Sequence, residues 1–307
     1  MESLYRKAWR TGELAEKVEK GREILGSCRL CPRACGVNRL SGERGFCRTG
    51  EKARVAHAGP HFGEEAPLVG RYGSGTVFLS FCNLGCVFCQ NYEISHEGEG
   101  EEVSAEILAD MMLRLQAMGC HNINWVTPTH VVPALLEAVL LAVPRGLTVP
   151  LVYNCGGYES LETLRLLEGV VDIYMPDFKF WDPSIGLKLT GVPDYPQVAR
   201  EALREMYRQV GDLVLDPQGL ARKGLLVRHL VMPERLSGTR EVLSFLAREI
   251  SPHTYVNLMG QYRPCGEAFN YEPLRRPVSP QEMAQAFRWA EEAGLERLDG
   301  KTSMHLR

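Results

Sequence analysis

Cysteine carries most of the chemistry legible in this chain, because its thiolate is a soft metal ligand as well as a nucleophile. Ten cysteines occur in 307 residues, and seven fall into two tight groups: Cys28, Cys31, Cys35 and Cys47, then Cys82, Cys86 and Cys89. The second group forms a C-x3-C-x2-C run inside Ser80-Phe-Cys-Asn-Leu-Gly-Cys-Val-Phe-Cys-Gln-Asn91. Three thiolates in one compact loop can hold three corners of a [4Fe-4S] cube, and with no fourth cysteine close by, one iron stays open for chemistry. A structural zinc site normally takes four protein ligands, so zinc and three unrelated thiols are the plainer alternatives. The first group reads C-x2-C-x3-C-x11-C in a stretch that also holds Gly36, Gly42, Gly45 and Gly50. Such a loop has too little apolar content to order itself. Its four soft ligands suit either closed tetrahedral zinc or a second iron-sulfur cluster, against the alternative of four free thiols. His57 and His61, further on, read as ordinary surface or substrate-facing histidines.

The elements that must position these groups follow from periodicity. A helix is predicted from about residue 3 to residue 25, followed by the loop-rich cysteine stretch. From Thr76 onward, short β-branched or apolar runs alternate with longer segments of helical period. The runs predict strands over 76–81, 122–126, 148–153, 171–175, 225–230 and 254–259. Between and after them, helices are predicted over 104–118, 131–143, 161–167, 196–210, 239–249 and 280–293. Six β-α units imply a parallel sheet wound one way by right-handed crossovers. No G-x-G-x-x-G follows the first strand and polar residues collect at strand C-termini, which favours a partial (β/α)6 TIM-like barrel over an open doubly wound sheet. The expected organisation is an N-terminal helix and cysteine-rich metal-binding extension over residues 1–75 and the barrel over 76–307.

Composition narrows the partners. With 35 basic against 38 acidic residues and a net charge of −3, nothing favours nucleic acid. The first 25 residues alternate charges with single apolar positions and lack the apolar core of a signal peptide, so a cytoplasmic location is expected. The longest apolar stretch, 131–143, falls short of the roughly 20 residues a membrane span needs and reads as a buried helix.

The C-x3-C-x2-C run with Phe88 before its last cysteine, at the end of the first strand of a β-α barrel, resembles the radical S-adenosylmethionine (SAM) superfamily. Gly73 to Asn91, Tyr153-Asn-Cys-Gly-Gly-Tyr158, Pro176-Asp-Phe-Lys179 and Arg228-His-Leu-Val-Met-Pro233 together are similar to its pyruvate formate-lyase activating enzyme-like branch. Within that branch they look closest to an uncharacterised group with cysteines upstream of the barrel. The resemblance implies that Cys82, Cys86 and Cys89 hold the cluster and that SAM chelates the open iron. One electron from a reductant such as ferredoxin or flavodoxin would then release a 5'-deoxyadenosyl radical that abstracts hydrogen from the substrate. By analogy that substrate is a glycine of a partner glycyl radical enzyme. A small metabolite or peptide is the rival within the superfamily, and a non-catalytic iron-sulfur or zinc protein is the rival outside it.

The strand ends supply the other candidates. Asp177 and Lys179 stand two residues apart and so share a side of the extended chain; the resemblance gives them SAM as ligand, the alternative being a structural ion pair. Asn154 ends the third strand beside Gly156 and Gly157, which would let backbone approach a ligand. Arg228 and His229 are strand neighbours facing opposite ways, so one of the two reaches the cavity. Most relatives carry a Gly-Gly-Glu-like segment after strand two, whereas this chain reads Thr127-Pro-Thr-His130, leaving Thr127 and His130 as candidate substitutes. Cys265, in a turn-rich loop after the last predicted strand, is a candidate hydrogen donor or cluster ligand, against the alternative of a free loop thiol. Cys155 is equally open, and Cys120 reads as a packing residue.

Overall fold

The computed structural model describes residues 2–299. Two helices open the chain, α1 (Leu4–Arg10) and α2 (Glu13–Leu25), where periodicity predicts one. The break falls at Gly12, whose φ of 82° glycine adopts without a Cβ clash. A second difference from the sequence reading is β1 (Ala53–His61), a nine-residue strand just past the loop-rich cysteine stretch, where periodicity predicts no element. Its Gly59 and Pro60 are poor strand formers, and the strand exists because it pairs antiparallel with the next one.

The remaining elements follow in chain order. They are α3 (Ala66–Val69), β2 (Ser74–Leu79), β3 (Glu101–Val103), α4 (Ala105–Ala117), β4 (Ile123–Val126), α5 (Val132–Ala142), β5 (Leu151–Cys155) and α6 (Leu161–Leu167). Then come β6 (Ile173–Pro176), α7 (Pro183–Thr190), α8 (Tyr195–Val210), β7 (Val214–Leu215), β8 (Ala221–Leu230), α9 (Thr239–Phe245), β9 (Tyr255–Met259), α10 (Pro280–Ala293) and β10 (Arg297–Leu298). Helix starts carry local signals: Ser104 and Ser160 accept from backbone amides three residues on, and Ser279 with Glu282 forms a capping box.

The sheet runs β10-β9-β8-β6-β5-β4-β2-β1-β3. From β2 to β10 every neighbour along that order is parallel, and β1 and β3 extend the other edge antiparallel. Among the described residues no pairing joins β3 to β10, so this α/β fold is an open, partial barrel with a mostly parallel wall. Strands β4, β5 and β6 are buried on both faces, as parallel strands covered by helices are. Leu68 of α3 plugs the lower lumen, packing with Val152, Ile173, Met175, Leu213, Ala221 and Leu226. These apolar side chains fill the end of the lumen opposite the strand C-termini. Among the described residues no helix is long and apolar enough to cross a membrane.

Candidate functional site

The strand C-termini face a cavity of about 250 Å³ lined by Phe78, Cys82, Cys86, Phe88, Cys89, Thr127, Asn154, Asp177, Lys179 and Arg228, among others. Thus residues singled out from sequence and far apart along the chain, Cys155 and Gly156 among them, surround one space. Alternation along β8 decides between its two candidates. Arg228 and Leu230 line the cavity, while His229 points the other way, fully buried, its Nδ1 at 2.6 Å from Phe178 O and its Nε2 at 2.9 Å from Thr239 Oγ1. Burial lowers the His229 pKa to about 4, so it packs as a neutral ring. His130 is likewise not brought to this cavity: its Nε2 meets Ser80 O at 2.8 Å, and burial lowers its pKa to about 4. Cys265 stands outside the lining, before a turn whose Glu267 N–H donates to Val87 O in the cysteine loop.

The polar side chains form a continuous chain of charges. Lys179 Nζ lies 2.5 Å from Asp177 Oδ2, and Arg228 Nε donates to Asp177 Oδ1 at 2.8 Å. Arg228 also donates to Asn154 Oδ1 at 2.6 Å and reaches Glu64 Oε2 at 3.6 Å. Burial would push the Asp177 carboxyl up, but Arg228 and Lys179 outweigh it and hold it below its ordinary value. Burial likewise opposes the Lys179 charge, yet Asp177 and the nearby Cys86 sulfur raise its pKa. Glu64 is pushed up by burial against the pull of Arg228. This residue and Glu65, which accepts from Asn257 at 2.8 Å, are missing from the sequence reading. They sit in the segment between β1 and α3, and no local motif marks that segment as entering the lumen.

The cysteine loop is shaped by its own amides. Leu84 N–H points at Cys82 Sγ at 3.4 Å, and Ser95 Oγ donates to Cys89 Sγ at 3.1 Å. Burial raises the Cys82 and Cys86 thiols, which interact electrostatically with each other and with Cys89. Two residues hold backbone that glycine would favour: Phe81 (φ 68°), just before Cys82, and the cavity-lining Thr127 (φ 63°). A β-branched residue there is a genuine outlier, and such strain concentrates where structure serves a ligand. Thr127 is fixed by its N–H bond to Asn154 O at 2.8 Å, which aligns the ends of β4 and β5. At Gly157 (φ 78°) an added Cβ would lie 2.3 Å from Asp177 O, so only glycine lets the two strand ends close up.

The family model described as the radical SAM superfamily matches residues 76–215, the span that carries the cysteine loop and the Asp177–Lys179 strand end. A Methanocaldococcus jannaschii relative, uncharacterized protein MJ0674, is 32% identical over 289 residues, covering 91% of this chain and 79% of its own. The chain belongs to the radical SAM superfamily. Solved structures similar to it include Streptococcus suis SuiB bound to precursor peptide SuiA, with 11% identity and a TM-score of 0.45. That match covers 69% of this chain and 43% of SuiB, so the chain spans less than half of that structure's length. A domain of pyruvate-formate lyase-activating enzyme from Bacteroides vulgatus has 14% identity and a TM-score of 0.36, over 64% of this chain and 91% of the domain.

Radical SAM membership implies a [4Fe-4S] cluster and SAM, and the donor chemistry fits both. Three soft thiols face one cavity, with amide and hydroxyl donors on two of the sulfurs. Among the described residues no group of three or more His, Cys, Asp or Glu side chains stands close enough to hold a metal ion. Cys82, Cys86 and Cys89 would hold the cluster, and the Asn154, Asp177, Lys179 and Arg228 groups facing them offer both donors and acceptors to the charged methionine end of SAM.

Proposed function

We propose that the chain is a radical SAM enzyme that abstracts a hydrogen atom, its substrate a glycine of a partner glycyl radical enzyme. The observation that carries the reading is one cavity at the strand C-termini shared by Cys82, Cys86 and Cys89 and the Asn154, Asp177, Lys179 and Arg228 network. When bound, the cluster supplies the electron that splits SAM into methionine and a 5'-deoxyadenosyl radical. The chain's own residues position and exclude. Lys179 and Arg228, locked on Asp177, arrive at the ligand already oriented, so little side-chain entropy is lost on binding. Phe88, packed edge-on to Phe180 and Tyr262, keeps water from the floor of the loop. Gln90, Asn91 and Gln261 form an exposed rim, with Gln90 donating to Gln261 O at 3.1 Å. That rim suits the approach of a backbone loop from another protein.

The cysteine-rich module is taken to precede the catalytic barrel, whose superfamily match begins at residue 76, with β1 and α3 joining the barrel's sheet and lumen. Ten free thiols and an oxygen-sensitive cluster suit the reducing cytoplasm, where ferredoxin or flavodoxin would serve as reductant. The test is anaerobic. The reduced, reconstituted chain is expected to form 5'-deoxyadenosine from SAM, and a variant with Cys82, Cys86 and Cys89 all changed to Ala is expected to form none. Mixed with candidate glycyl radical enzymes, the active chain should give a glycyl doublet by electron paramagnetic resonance (EPR). No doublet with any partner, together with turnover of a small metabolite or peptide, would sink the activase reading. No 5'-deoxyadenosine at all would sink the enzyme reading.

A further inference from the structure

The four N-terminal cysteines take no part in the cavity described above, yet the fold gathers them. Cys28, Cys31, Cys35 and Cys47 line a single pocket whose free space is about 10 Å³, room for an ion or a water and too little for an organic ligand. The loop closes on itself through Cys28 N–H to Val37 O at 2.9 Å and Gly36 N–H to Cys28 O at 3.0 Å. Gly45 is required where it stands, since a Cβ there would lie 2.7 Å from Cys35 Sγ. Ala34 and Arg48, each beside a cysteine, hold positive φ of 39° and 52°, a cost that persists only where the surroundings fix the turn.

The charges around the pocket have one sign. Arg33 and Arg39 line it and no carboxylate does. Arg39 is 2% exposed, donates to His130 O at 2.8 Å and places Nη1 3.8 Å from Cys28 Sγ. Arg39 is buried and Arg33 half-buried, and both donate to backbone carbonyls rather than to a carboxylate, so their charges stay uncompensated, whereas four thiolates around a divalent ion carry a net charge of about −2 and match them. We propose that Cys28, Cys31, Cys35 and Cys47 form a second metal centre, occupied by a soft thiolate-bound metal. Among the described residues no three of these sulfurs are already grouped to hold an ion, so metal binding closes the loop's thiols on the ion. The centre abuts the first one. Asn83 lines this pocket while its neighbours Cys82 and Leu84 line the SAM cavity, and Arg33 grips Asn83 O and Leu84 O at 2.5 and 2.9 Å. Metal at the second site therefore braces the loop that holds the first.

The test separates the two centres. A chain with Cys82, Cys86 and Cys89 changed to Ala is loaded anaerobically with zinc alone or with iron plus sulfide, desalted, and its metal and sulfide are counted. About one zinc, or about four iron with matching sulfide, is expected per chain, and sulfide tells the two apart. Adding Cys35→Ser and Cys47→Ser should cut that content at least tenfold. Absence of uptake by the first chain, or retention by the second, overturns the proposal. If the first chain does not fold, the wild type is compared with the Cys35→Ser, Cys47→Ser variant. Loss of the same metal increment with the SAM-responsive EPR signal retained is expected, and unchanged metal content overturns the site. Failure of the radical SAM reading is distinguishable, because it abolishes 5'-deoxyadenosine formation without touching the second-site metal count.

Discussion

Arg228 holds the lumen's charges together, and replacing it by Met removes its bonds to Asp177, Asn154 and Glu64 at once. The Arg228 side chain is 17% exposed and Glu64 7%, so the loss leaves two carboxylates in a desolvated lumen with Lys179 alone to balance them. Breaking a buried pair by removing one partner costs about 3–5 kcal/mol, which for a chain of this size lowers the melting temperature by roughly 5–15 °C. The loss should depend on pH. Burial already raises the Glu64 carboxyl, and without the opposing Arg228 it rises further. A carboxyl with a folded pKa above its unfolded value contributes stability at low pH and loses it as pH rises through the folded pKa. The deficit of Arg228→Met is therefore larger at about pH 8 than at about pH 5, and adding Glu64→Gln should recover roughly 1–3 kcal/mol of it as coupling. Urea unfolding of wild type, both single variants and the double variant at the two pH values measures this. An Arg228→Met chain within about 0.5 kcal/mol of wild type, or strictly additive variants, would refute the buried charge chain.

Three further outcomes are expected. Gly157→Ala forces a Cβ to 2.3 Å from Asp177 O at a φ of 78°, so it should cost about 1–3 kcal/mol or more and weaken SAM binding by displacing Asp177; wild-type values in unfolding and equilibrium binding would contradict the close approach. Arg33→Ala removes side-chain donors from Asn83 O, Leu84 O and Thr190 O, and the radical SAM cluster should bleach several-fold faster in air with the circular dichroism unchanged, equal bleaching rates counting against the bracing role. Glu159 is pushed up to about 7 by burial, despite hydrogen bonds from Thr129 and Tyr153. Its contribution to stability is thus full below its ordinary pKa and fades as pH rises through about 7; Glu159→Gln should flatten that dependence, and parallel pH profiles would exclude the assignment.

By itself the sequence determined what depends on short-range spacing. Cys82, Cys86 and Cys89 lie within eight residues, so any turn that closes around them brings three sulfurs to one side, and Asp177 and Lys179 share a face because strand geometry has period two. Alternating apolar runs likewise announced β2, β4, β5, β6, β8 and β9, since strands buried on both faces must be apolar throughout. Tertiary structure decided whatever requires a partner distant in sequence. Strand β1 has weak propensity and forms only along the edge of β2, and Glu64 enters the lumen only because α3 turns back to plug the barrel. The choice between Arg228 and His229 also waited on the fold. Both lie on one strand, but only the curvature of the sheet says which face is lumen and which packs against α9, where the His229 ring meets Thr239. The docking of the N-terminal cysteine loop on Asn83 and Leu84 is of the same kind. It rests on one guanidinium bridging residues fifty positions apart, a contact that the chain's own local periodicity has no means to encode.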